Sequence, residues 1–326
     1  MQNVVECMRE AMVTQLYDTG FSGFFPKWKP TITKYAGAKT PKQLFDLGDH
    51  LSEIFLTTRK DEMTSGLSNE ETESRSQSKL SSGGAAWESL ICWYLNLCLI
   101  GRRTIVIKHS KKLIPTPVSD AITVTYDNDA SNSESDLIAV TFPDKPEYSI
   151  DKNQIRIKDS DGEEVRTTTT SKTGGKSYRL LPIINALVQR DFNEIEIHII
   201  QCKTNWNDNS QIPMLWDSIY AAIDFSNNIR VGTNGYSIHN IKKFSYSFVT
   251  VPTNNLKNYK INSTPVIRVR HLSGGNYWGR TSVSGIASSL KEMLNRNLQN
   301  GSPKSILNTI GEAVPYLETT YYYFGL

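Results

Sequence analysis

The stretch Ile195-Glu196-Ile197-His198-Ile199-Ile200-Gln201-Cys202-Lys203 decides how this chain is read. Isoleucine at 195, 197 and 199 predicts a buried strand, because β-branched side chains suit a pleated surface. Side chains alternate between the faces of a strand, so Gln201 and Lys203 continue the face of Ile195, Ile197 and Ile199. An amide and an ammonium at the end of an apolar face are costly unless something there uses them. Upstream, Ser133-Glu134-Ser135-Asp136-Leu137-Ile138-Ala139-Val140 sets an acid at the start of a second apolar run.

Outward from these two runs, β-type patterning predicts strands at Thr104 to Lys108, Ile122 to Tyr126, Leu137 to Phe142, Ile155 to Lys158, Phe244 to Val251 and Val266 to Val269. Helical spacing marks residues 2–18, Pro41 to Thr57, Ala85 to about Gly101, Leu180 to Gln189, Pro213 to Phe225 and Val283 to Leu298, with a shorter helix after Pro303. Such a mixture predicts a single α/β domain: a central mixed β-sheet flanked by helices, with helical and β additions. Within it, residues 1–57 form a helical N-terminal part, 83–225 the core and 226–326 a C-terminal part. Residues 58–82 are almost free of large apolar side chains. They read as a flexible connector, or as a segment that folds around a polyanion through Arg59, Lys60, Arg75 and Lys79. Phe21 to Lys29, aromatic and Pro-bearing, reads as a packed loop, and Thr167 to Lys176 as a flexible one. The aromatic end, Tyr321-Tyr322-Tyr323-Phe324, is expected to pack on the body.

Composition narrows the function classes. Hydrophobic residues make up 38% of 326, enough for a core, and the net charge of +3 admits a nucleic-acid partner without arguing for one. Four cysteines (Cys7, Cys92, Cys98, Cys202) show no C-x-x-C pair or zinc-ligand spacing, which suits reduced thiols in the cytoplasm. Glu6, Arg9 and Glu10 interrupt the first residues, unlike a secretory signal, and no run of about 18 apolar residues predicts a membrane span. G-x-S-x-G, G-x-x-x-x-G-K-[ST] and H-E-x-x-H are all missing. His198 falls on the strand face opposite Gln201 and Lys203, so packing is its expected role.

Hydrolysis of a phosphodiester is served by a few acidic oxygens that hold Mg²⁺ and by a cation that orients the attacking water. Glu88 on a helix, Asp136 at the start of a strand and Gln201-Cys202-Lys203 at the end of another resemble the active site of the PD-(D/E)xK nuclease superfamily. The resemblance is to type II restriction endonucleases in particular, and it covers roughly residues 80–225. Two positions depart from the pattern: Ser135 stands where proline is common, and Gln201 where a carboxylate is usual. The resemblance implies a restriction-endonuclease-like core with Glu88, Asp136, Gln201 and Lys203 as catalytic residues. It also implies Mg²⁺ held by Asp136, Gln201, the Cys202 carbonyl oxygen and Glu88. The activity it implies is sequence-specific hydrolysis of phosphodiester bonds in double-stranded DNA by a homodimer. A structure-directed nuclease such as a junction resolvase, and a non-catalytic DNA-binding module on the same fold, are the alternatives.

Reading DNA requires Arg, Lys, Asn or Gln on base edges and cations on phosphates. Lys108 and Lys111 belong to the densest basic cluster, beside Arg102-Arg103. Arg268, Arg270, His271, Asn276 and Arg280 form a second candidate surface, in which a strand would put Arg268 and Arg270 on one face. Asn205, Trp206, Asn207 and Asn209 follow Lys203 directly and are expected near the DNA.

Overall fold

Five strands from widely separated parts of the chain meet in one mixed sheet, with the 195–203 stretch at its centre. The structure, a computed structural model, describes residues 2–18, 21–64, 77–109, 112–131, 135–170, 175–204, 211–222, 228–251, 260–279 and 289–326, the side chains of 59–64, 77–82 and 211–212 excepted. Helices α1 (Val4–Tyr17), α2 (Phe21–Ala36), α3 (Pro41–Asp46), α4 (Leu51–Thr64) and α5 (Gln77–Cys98) precede the first strand. There follow β1 (Thr104–Lys108), α6 (Thr116–Ile122), β2 (Val124–Tyr126), β3 (Asp129–Ser131) and β4 (Leu137–Thr141). Next come β5 (Thr168–Thr170), β6 (Lys176–Tyr178), α7 (Leu180–Arg190), β7 (Glu196–Lys203) and α8 (Gln211–Ala221). The chain ends with β8 (Ile229–Val231), β9 (Lys243–Thr250), α9 (Thr264–Arg270), β10 (Asn276–Tyr277), α10 (Leu290–Asn297) and α11 (Ile306–Ala313).

The main sheet has the order β1-β4-β7-β9-β10. Its first three strands pair antiparallel, while β9 runs parallel to β7 and β10 parallel to β9. A parallel pair needs a crossover, and α8 lies within the one between β7 and β9. With helices on both sides, β7 is buried on both faces through Cys202, which explains why it reads as an apolar run. The fold class is therefore α/β with a mixed central sheet, as the alternation of patterns predicts. Among the described residues no helix is long and apolar enough to cross a membrane.

Buried residues from Val4 to Phe324 form one continuous cluster. Arg9, fully buried, pins α1 to the start of the sheet. Its guanidinium pairs with Glu6 at 3.1 Å and donates to the carbonyls of Arg102 and Thr104, each at 3.0 Å. Trp28, Trp87 and Trp93 are wholly buried, and truncating such a ring to alanine typically costs about 3–5 kcal/mol. Of the aromatic terminus, Tyr323 and Phe324 are buried as expected while Tyr322 is exposed, and the Trp93 indole N–H donates to the Phe324 carbonyl at 3.1 Å.

His198 is buried with its Nδ1 on the Ser245 hydroxyl and its Nε2 on the Ser247 hydroxyl. Burial drives its pKa down to about 3, so the ring is neutral at pH 7. Gly274 closes over it; a Cβ there would lie 2.4 Å from the imidazole and 2.7 Å from the Tyr246 carbonyl.

Several local expectations need correction. Phe21 to Lys29 belongs to α2 despite Pro26 and Pro30, because Phe21, Phe25, Trp28 and Ile32 recur at helical spacing and bury one face. The helix expected from Pro41 to Thr57 is broken by a 3₁₀ turn at Leu47–Asp49. Val266 to Val269 is not a strand but part of α9: Pro265 sits in its first turn, and the buried pair is Val266 and Val269, three apart. Arg268 and Arg270 are exposed but, two residues apart on a helix, do not share a face. Ile155 to Lys158 forms no ladder beyond an isolated bridge between Lys158 and Glu164, and Ile122 ends α6 rather than opening a strand. In the polar segment 58–82, helices reach to Thr64 and resume at Gln77. In the expected 167–176 loop, β5 takes up Thr168–Thr170 and β6 begins at Lys176, while 171–174 lie outside the described residues.

Candidate active site

The register Leu137↔Ile200 sets Asp136, one residue before β4, beside the end of β7. Its Oδ2 accepts the Cys202 N–H at 2.6 Å, and its main-chain carbonyl accepts the His109 N–H at 3.0 Å. The carboxylate thus takes up a strand-end donor where pairing between β4 and β7 stops. Lys203, the last residue of β7, is half-buried, and its carbonyl accepts the Val251 N–H at 3.2 Å. Among the described residues its ammonium makes no hydrogen bond or ion pair, although its charge acts on both Asp136 and Glu88.

Glu88 reaches this end of the sheet from α5. That helix lies against β1 and β7, held by Trp87, whose buried ring stacks on Tyr277. Glu88 Oε2 is 3.1 Å from Lys108 Nζ, with the two side chains 22% and 7% exposed. The same ammonium donates to the Ala85 carbonyl at 2.8 Å and the Ser89 hydroxyl at 3.1 Å. Lys108, expected from the basic cluster to lie on the surface, is instead a buried cation paired with Glu88. Sequence reading could have found it: like Lys203, it is a lysine that ends an apolar strand.

Electrostatics tie these groups together. Burial raises the pKa of Asp136 above the ordinary carboxylate value, against the opposing pull of Lys203, the Cys202 N–H, Lys108 and His109. Burial also raises that of Glu88; Lys108 opposes the rise and the Asp136 charge adds to it. His109 is pushed down by burial, partly offset by Asp136. Two acids held in reluctant ionisation between lysines are the kind of arrangement that concentrates at functional sites. Among the described residues no group of three or more His, Cys, Asp and Glu side chains could hold a metal ion. The acids that converge are two, and Mg²⁺ ordinarily takes one or two carboxylates from a protein.

The other expected site residues are held by neighbouring elements, are exposed, or lie outside the described residues. Gln201 is fully buried, and its Oε1 accepts the Tyr246 hydroxyl at 3.0 Å, which ties the side chain to β9. The Cys202 thiol is buried, and burial with the nearby acids holds its pKa well above the usual thiol value. Asn276 donates to the Val269 carbonyl at 3.3 Å, and His271 is exposed just past α9. The pairing Tyr277↔Val249 leads the chain after β10 toward the same sheet end as Lys203. Arg280 itself, Lys111, Asn205, Trp206, Asn207 and Asn209 lie outside the described residues. No protein-family model matches the chain, and no curated protein is significantly similar to it.

Proposed function

We propose that this protein is a Mg²⁺-dependent endonuclease of the type II restriction kind, hydrolysing phosphodiester bonds at specific sequences in double-stranded DNA as a homodimer. The observation that carries the reading is the meeting of Asp136, Glu88 and Lys203 at one end of the β4–β7 pair. Its donors are carboxylate oxygens, the hard ligands that Mg²⁺ prefers. Both acids carry raised pKa values, which a bound dication would reverse, so the residues fit the ion. When bound there, Mg²⁺ would supply charge neutralisation at the scissile phosphate and a more acidic attacking water.

The chain's own residues divide the remaining work. Asp136 is oriented by the Cys202 N–H on its Oδ2, and its carboxylate would hold the cation. Glu88 is held in range by Lys108, and the Cys202 carbonyl can add a neutral oxygen. Lys203, with no hydrogen bond or ion pair among the described residues, orients the water and stabilises charge on the phosphate. The test is incubation with plasmid and phage DNA, with and without Mg²⁺. Discrete Mg²⁺-dependent fragments are expected. Nicking or smearing would point to a structure-directed or general nuclease, and a gel shift without cleavage to a binding module.

A further inference from the structure

The opposite end of the sheet, where Thr104 of β1 pairs with Thr141 of β4, carries a second polar site. A cleft of about 590 Å³ opens there between Arg102-Arg103, Asp144 and the segment 299–306 that leads into α11. Three cations, Arg102, Arg103 and Lys304, line it against one acid, Asp144. Arg103 lies 3.0 Å from the Asp144 carboxylate, and Lys304 is tethered from outside by Glu312 at 2.6 Å.

Arg102 is different. It is 2% exposed, and its terminal nitrogens donate only to main-chain carbonyls, those of Lys304 at 2.7 Å and of Gln299. Among the described residues it has no carboxylate partner, and its buried Nε has no acceptor. Burial, with the charges of Arg103 and Arg9, pushes its pKa down to about 10, although those two arginines have carboxylate partners of their own in Asp144 and Glu6. A buried guanidinium without a counter-ion is costly. The first turn of α11, capped by Ser305, also borders the cleft through Ile306 and adds the positive end of a helix.

We propose that this cleft binds a small phosphate-bearing anion of about mononucleotide size. Arg102 and Arg103 would face the phosphate, and the amides of Asn295 and Gln299 the remainder of the ligand. Lys108 lies four residues along β1 from Thr104, roughly 13 Å at strand rise, so the cleft is separate from the Asp136 site. The inference does not depend on the nuclease reading.

The experiment is thermal melting and equilibrium dialysis of the full chain with inorganic phosphate and with dAMP, against chloride at equal ionic strength. Arg102→Gln risks the fold, so the variants are Arg103→Gln and Lys304→Gln, both altering outer ligands of the cleft. The native protein should retain both probes on dialysis and melt higher as their concentration rises. The variants should melt like the native protein in chloride and bind about tenfold more weakly or worse. Absence of saturable binding to the native protein would overturn the proposal, as would equal binding by variants that fold normally. If either variant fails to fold, dialysis of the native protein still decides. Displacement of phosphate by a short duplex, with both variants losing duplex affinity, would make the cleft a DNA-backbone contact and overturn the small-ligand assignment.

Discussion

Replacing Lys108 by methionine separates a buried tether from a DNA contact. The substitution keeps most of the apolar stem and removes an ammonium that is 7% exposed and touches Glu88, Ala85 and Ser89 at 2.8–3.1 Å. The Ala85 carbonyl is not orphaned, since it also accepts the Ser89 hydroxyl at 2.8 Å. The loss is therefore mainly that of the Glu88 partner. Removing one member of a buried ion pair costs about 3–5 kcal/mol. Glu88 is 22% exposed and its pKa is already raised, so it can shed part of the penalty by taking a proton. The low end, about 3 kcal/mol, is expected at pH 8, a fall in melting temperature of roughly 4–5 °C for a chain of 326 residues. The deficit should shrink as pH drops toward 4.5, the ordinary glutamate value, where the carboxylate becomes neutral. Adding Glu88→Gln should restore much of the loss, giving a coupling of about 2 kcal/mol in a double-mutant cycle read by chemical denaturation. A Lys108→Met protein that melts like the native one but binds DNA less tightly would refute this reasoning.

Two other outcomes follow from the buried positions of Asp136 and His198. Asp136 has a raised pKa, so the folded protein holds that proton more tightly than the unfolded chain, and ionisation costs stability above the ordinary value of 3.8. Asp136→Asn should therefore melt at or above the native temperature at pH 7.5 while losing cleavage, the gap closing as pH falls below 3.8; a marked loss of stability at pH 7.5 would mark Asp136 as a structural cap. For His198 the unfolded chain binds the proton more readily, so stability is unaffected above the ordinary value of 6.5 and is lost progressively as pH falls toward about 3. Denaturation curves of His198→Gln should show a shallower pH slope across that window, and an unchanged slope would contradict a buried neutral imidazole.

Much of the sheet could be read directly because β1, β4 and all but the last residue of β7 are buried, so that they read as largely apolar runs. Asp136 and Lys203 stood out for a related reason: each is a charge at the end of such a run, and pairing of β4 with β7 brings them to one end of the sheet. Lys108 carries the same mark but was masked by His109, Lys111 and Lys112, which make the segment look like a surface cluster. Only the packing of α5 shows that its ammonium turns inward. Gln201 shows the limit of alternation as a guide. It shares the face of Ile199, yet the Tyr246 that holds it comes from β9, more than forty residues later. Prolines and β-branched residues hide the helices α2 and α9 from a local reading, whereas the burial of Trp28, Val266 and Val269 in the core decides their conformation.

The central claim, that Lys203 and the two acids cut DNA with Mg²⁺, is tested most directly by one comparison. Native protein and Lys203→Ala are incubated with phage DNA in Mg²⁺, and binding of both to the same DNA is measured in Ca²⁺. Discrete fragments are expected from the native protein and a rate lower by about 10²–10⁴-fold in the variant, with DNA affinity and melting temperature retained. Cleavage by Lys203→Ala at the native rate, or no Mg²⁺-dependent cleavage by the native protein on any DNA, would contradict it.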